Sequence, residues 1–73
     1  MNEQEILKHK TIFFLEPSET GGVLHKAERN ERQGGWNFYE LYRSDWEYDD
    51  NISDESLIRR AQNYKVLIEC PLN

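Results

Sequence analysis

Between Trp36 and Asp49 the chain alternates. Even positions read Trp36, Phe38, Glu40, Tyr42, Ser44, Trp46 and Tyr48, five of the seven aromatic. Odd positions read Asn37, Tyr39, Leu41, Arg43, Asp45, Glu47 and Asp49, and turn acidic toward the end. A period of two puts successive side chains on opposite faces of extended backbone, so one set packs and the other meets solvent. Helical spacing from Trp36 would instead collect Tyr39, Glu40 and Arg43, which is no apolar stripe. The run predicts a strand from Trp36 to about Tyr42 or Asp45, then an extended acidic loop, with Trp36, Phe38 and Tyr42 in the core.

The remaining elements arrange themselves around that strand. Residues 2–9 suit a short helix or a tail, with Asn2 as N-cap and Glu5 at the capping-box position. Residues 11–16 are aromatic and β-branched and are closed by Pro17, which reads as a strand. The polar turn 18–22, with its paired glycines, leads into a second strand over 23–29. Asn30 to Gly35 forms another turn before the alternating run. Ser53-Asp54-Glu55 supplies a capping hydroxyl and two carboxylates, the start of a helix. Leu57, Ile58, Ala61 and Tyr64 then share one side, with Arg59, Arg60 and Gln62 facing outward. Asn63 ends the helix, and 64–69 alternate as a last strand before Pro71. The expected fold is α+β: a small, mainly antiparallel sheet made of a three-stranded meander, one helix on one face, and a final strand. It divides into an N-terminal tail or short helix (1–10), a single domain (11–70) and a C-terminal tail (71–73).

Composition narrows the functional classes. A chain of 73 residues that is 37% hydrophobic has a thin core, and a deep enclosed catalytic pocket would compete for the same side chains. The longest apolar run, Ile12-Phe13-Phe14-Leu15, is far below the ~20 residues of a membrane helix. The acidic N-terminus does not resemble a secretory leader, and a lone cysteine, Cys70, allows no internal disulfide; both point to the cytoplasm. A net charge of −5 argues against nucleic-acid binding through a broad basic face.

Chemistry-bearing residues are sparse. His9, His25 and Cys70 have no metal-ligand spacing, so no zinc site or other cofactor is expected. His25 reads as a strand histidine, half-buried or facing solvent. Cys70 lies beside Glu69, which disfavours a thiolate. Gly21-Gly22 and Gly34-Gly35 lack the lysine and hydroxyl residue of a phosphate loop and read as turn glycines. No nucleophile–base pair stands out, and the expectation is a protein that is not an enzyme.

The anomaly is acidic and aromatic. Residues 40–55 carry seven acids against one base, Arg43, a net −6, so the rest of the chain is net +1. Six of the nine aromatics lie between Trp36 and Tyr48. Asp54 and Glu55 suit the first turn of a helix, and the Asp49-Asp50 pair would serve solubility alone. Trp46 and Tyr48 among Asp45, Glu47, Asp49 and Asp50 are harder to place in a small core and suggest an interface, with Glu40 beside them. Trp and Tyr dominate binding hot spots, and carboxylates steer a basic partner. In size, charge and element order the chain resembles the small acidic single-domain inhibitors of phages and mobile elements, including anti-restriction and anti-CRISPR proteins. That resemblance implies a module that occludes a basic surface on a nucleic-acid-handling host protein. An antitoxin or immunity protein would use the same chemistry. The competing expectations are a homo-oligomer, a homodimer included, pairing along strand 11–16 or 64–69, and a nucleic-acid binder using Arg29, Arg32, Arg59 and Arg60 with stacking aromatics.

Overall fold

The computed structural model describes residues 2–71, so Met1 and the last two residues of the expected C-terminal tail lie outside it. The order is α1 (Glu3–Lys8), β1 (Thr11–Ser18), β2 (Gly21–Arg29), β3 (Trp36–Tyr42), β4 (Asp45–Ile52), α2 (Asp54–Asn63) and β5 (Lys65–Leu67). The five strands form one sheet, β4-β3-β2-β1-β5, with every neighbouring pair antiparallel. This is the α+β class expected, enlarged by one strand: the meander has four strands because the acidic segment is β4 rather than a loop. Strand β1 runs between β2 and β5, so it is not an edge. The free edges are β4 and the three-residue β5.

Local chemistry starts each helix. Asn2 accepts from the Glu5 amide at 2.9 Å to cap α1. Ser53 accepts from the Ser56 amide at 3.1 Å to cap α2, with Asp54 and Glu55 in the first turn. The helices place Ile6 and Leu57 against Ile12, Phe14, Ala27, Trp36, Phe38 and Ile52, and this is the core. Around its margin Leu7, Ile58, Ala61, Tyr64 and Val66 are half-buried. Arg60 departs from the outward position expected of it: it is half-buried, its guanidinium 4.6 Å from the centre of the Phe38 ring.

Trp36 joins the layers. Its ring is wholly buried, its Nε1 donates to Asp54 Oδ1 at 2.7 Å, and Arg29 lies 4.3 Å over its face. Arg29 also donates to the Leu7 carbonyl at 2.8 Å, so one guanidinium ties α1 to the sheet. The loop before Trp36 is closed by Asn30, whose side chain accepts from the Arg32 and Gln33 amides at 3.1 and 2.9 Å. Gly35 there has a φ of +68°, and a Cβ on it would meet the Ile52 carbonyl at 2.6 Å. Gly21 and Gly22 are not the turn pair expected: they open β2 opposite Ser18 and Pro17, and Glu19-Thr20 make the turn.

The continuous alternation of 36–49 is broken twice. Arg43 and Ser44, with φ of 51° and 72°, form a two-residue turn that pairs Tyr42 with Asp45. Paired residues share a face, so even positions of β3 lie with odd positions of β4. Trp46 and Tyr48 therefore stand opposite Leu41 and Tyr39, on the side away from the helices. Tyr42, expected in the core, is 49% exposed because it lies at the turn, beyond the reach of α2. The second break is a bulge: Tyr39 pairs with Tyr48 and Phe38 with Asp50, which leaves Asp49 unpaired. The extra residue resets the parity, so Ile52 faces the core although Trp46 and Tyr48, also even, do not.

Deleting Asp49 should turn the bulged ladder into a regular one and leave Ile52 in place. Urea denaturation of that variant is expected to show stability within about 1 kcal/mol of the parent. Trp36→Ala should instead cost about 3–5 kcal/mol.

Candidate functional site

Of the residues expected to form an acidic-aromatic patch, Asp45, Trp46, Glu47, Tyr48, Asp49 and Asp50 lie on β4 and Glu40 lies beside them on β3, and they are divided between two faces. By register with Tyr42 and Glu40, Asp45 and Glu47 project on the helix side of the sheet, past the end of the core. Glu40 and Glu47 are directly opposite each other, a like-charge pair that weakens a hairpin. Together with Tyr48 and the bulged Asp49 they line a shallow concavity of about 280 Å³. Asp50 is exposed and accepts from the Asn51 amide at 2.8 Å. Among the described residues the ion pairs are Lys10–Glu31, His25–Glu16, Lys26–Glu28 and Arg29–Asp54. None involves Glu40, Asp45, Glu47, Asp49 or Asp50, so the described cations leave this charge unmatched.

On the other side of the sheet no described helix packs. That face carries Phe13, Leu15, Leu24, Lys26, Tyr39, Leu41, Trp46, Tyr48 and Leu67 by strand parity. Phe13 and Leu24 are nonetheless buried, because neighbouring side chains fold over them. The Trp46 ring leans across the sheet to 6.0 Å from Phe13, and the Lys26 ammonium sits 4.8 Å from both the Trp46 and the Tyr39 ring centres. Glu28 holds the same ammonium at 3.2 Å. Trp46 is thus half-buried, whereas Tyr48, stacked edge-on against Tyr39 at 5.7 Å, is 58% exposed at the border of the sheet. Phe13, Leu24, Lys26, Tyr39 and Leu41 belong to this surface but were not singled out from sequence. Their signal was the unbroken apolar run 12–15, which fills both parities of β1 and so demands apolar company on both faces.

His25 departs from the half-buried or solvent-facing position expected of it. It is 6% exposed, stacked between Phe38 at 5.0 Å and Tyr64 at 5.6 Å. Its Nε2–H donates to Glu16 Oε1 at 2.9 Å, and its Nδ1 is buried without a partner. The ring is closed off by aromatic neighbours on both sides, which suits packing rather than proton transfer to a ligand. Burial pushes the neighbouring Tyr64 hydroxyl above its ordinary 10.0, and the Glu16 carboxylate adds to the shift against the opposing pull of Arg60.

Of the four arginines considered for nucleic-acid binding, Arg29 is committed to Trp36, Leu7 and Asp54. Arg32 and Arg59 are exposed, Arg32 in the loop before β3 and Arg59 on α2, while Arg60 covers Phe38. Arg29 and Arg32 line one concavity with Lys10, Glu28 and Glu31, whereas Arg59 lines another with Glu3, Asp54 and Glu55. No three His, Cys, Asp or Glu side chains among the described residues group as metal ligands do, and no described helix is long and apolar enough to cross a membrane. No protein-family model, curated protein or solved structure matches the chain.

Two measurements check this description. His25→Phe keeps the stacked ring and removes the orphaned nitrogen together with the hydrogen bond to Glu16, so the two effects offset and stability in chemical denaturation should stay within about 1 kcal/mol of the parent. Tyr64 releases its proton at higher pH folded than unfolded, so the folded chain holds more protons once pH passes 10. Its contribution is complete below that pH and is lost as pH rises through the folded value. Tyr64→Phe should flatten that alkaline decline in a thermal-melt series.

Proposed function

We propose that this protein is a non-enzymatic binding module whose β4 edge and adjoining open sheet face engage a basic surface on another protein. What carries the reading is the unmatched charge: a free edge strand bears Asp45, Glu47, Asp49 and Asp50, none ion-paired among the described residues, and Glu40 lies beside them on β3. Acids placed directly across from each other cost stability, and a Lys- or Arg-rich partner would convert that cost into complementarity. Trp46 and Tyr48 supply rigid aromatic area at the border of the same strand.

The partner class that fits best is a nucleic-acid-handling protein, whose basic groove holds phosphates and would accept carboxylates presented along a strand. Occupation of that groove would inhibit it, which is the activity of the phage-type proteins the sequence resembles. An antitoxin or immunity role would rest on the same surface. Self-pairing along β4 is disfavoured, because a second copy would bring Asp45 and Glu47 against acids of its own kind.

The test is a paired capture from a nuclease-treated lysate, with the parent protein and a Glu40→Gln, Asp45→Asn, Glu47→Gln variant as baits. A prey held by the parent, released by salt and absent from the variant supports the reading. Equal recovery by both baits removes the acidic edge from the interface. Against the recovered partner, Trp46→Ala should weaken binding by about 1 kcal/mol or more. Asp49→Asn with Asp50→Asn should mainly slow association and flatten its dependence on salt. Calorimetry and stopped-flow measurements separate the two effects.

A further inference from the structure

On the reading just given, the structure assigns the partner's form as well as its charge: we infer that it contributes an extended strand that adds to β4, with basic side chains on alternate positions and apolar ones between them. The inference stands on three properties of β4 that coincide. First, β4 is the last strand of the sheet, so the backbone groups on its outer side have no strand to pair with. Second, the antiparallel ladder closed by the two-residue turn makes Tyr42–Asp45 and Glu40–Glu47 the bonded pairs. The intervening residues, Trp46 and Tyr48, then direct their N–H and C=O groups away from β3, toward an incoming strand.

Third, the two faces of β4 ask for different side chains. On the helix side Asp45 and Glu47 are exposed acids without an ion pair among the described residues, so residues set against them on an added strand would be Lys or Arg. On the open side Trp46 and Tyr48 continue the apolar surface of Tyr39, Leu41 and Phe13, so the alternate residues would be aliphatic or aromatic. A basic strand of this pattern satisfies the edge backbone, the charge and the rings in one register. The bulge at Asp49 interrupts the ladder, so the regular docking segment is Asp45 to Tyr48 and the added strand is short.

A second copy of this chain does not meet the requirement. Strand β4 against itself sets acid against acid, and the other free edge, β5, offers one lysine in Lys65-Val66-Leu67. The occupant is a different protein or peptide, recognised by main-chain hydrogen bonds and read by its alternate side chains.

Three capped peptides of six residues test this with the full-length protein at low salt. The first alternates lysine and valine, the second has the same sequence with N-methyl groups on every other amide nitrogen facing the edge, and the third has its lysines and valines in two blocks. Binding is followed by the change in tryptophan fluorescence, to which Trp46 and the buried Trp36 both contribute, and by the amide resonances of residues 45–48. The alternating peptide is expected to bind, to protect the Trp46 and Tyr48 amides from exchange, and to lose about tenfold in affinity when N-methylated. Equal binding by the N-methylated or the block peptide would overturn strand addition while leaving a basic partner in place. Failure of all three to bind would count against both the added strand and the acidic edge as a site for basic partners. Sedimentation that shows a dimer protecting the β4 amides without peptide would also overturn the inference, because the edge would then be closed by a copy.

Discussion

The indole of Trp36 lies wholly buried between sheet and helix, donates to Asp54 in the first turn of α2 and is roofed by Arg29, which in turn reaches the α1 backbone. A core this small has few places where separate elements can be locked in register, and here one side chain does so for β3, α2 and, through Arg29, α1. The Nε1 hydrogen bond also fixes where α2 begins relative to the sheet. That placement decides which strand positions the helix covers. It reaches Ile12, Phe14, Phe38 and Ile52 and stops short of Tyr42, so the turn end of the β3–β4 hairpin is left to solvent together with its acids.

The chain has helix enough to cover one face of a five-stranded sheet. The second face must then be protected by its own side chains, and it is: Trp46 leans over Phe13, the Lys26 ammonium sits on the Trp46 ring, and Phe13 and Leu24 are buried. This arrangement makes Trp46 both a structural cover and a border residue next to the exposed Tyr48. Glu40 and Glu47, facing each other, run against the usual cross-strand preference.

Much of the fold was legible because the responsible interactions are local. The Ser53 cap with its two following acids, the helical side of Leu57, Ile58 and Ala61, and the strand character of residues 11–16 can each be read within a few positions. The β3–β4 hairpin could not be read that way. Its turn residues are Arg43 and Ser44, where left-handed backbone normally recruits asparagine or glycine, and the alternation of rings runs straight across it. An alternation that continues through a two-residue turn looks like one long strand, although the turn exchanges its faces. The bulge at Asp49 was equally silent, since any residue can be left unpaired when the strand beside it and the core at Ile52 demand it.

The candidate site shows the same division. That Trp46, Tyr48, Asp45, Glu47, Asp49, Asp50 and Glu40 belong to one short, highly charged, ring-rich region is a property of composition and order, and so is the α+β class, because propensity, caps and turn chemistry act over neighbouring residues. Which of these side chains share a face is not. The sequence alone made them a single patch; pairing across the sheet put the rings on one side of β4, the acids on the other, and the strand itself at an unpaired edge. Facing is set by what lies opposite and what the core must bury, and those are long-range choices that only the folded sheet makes.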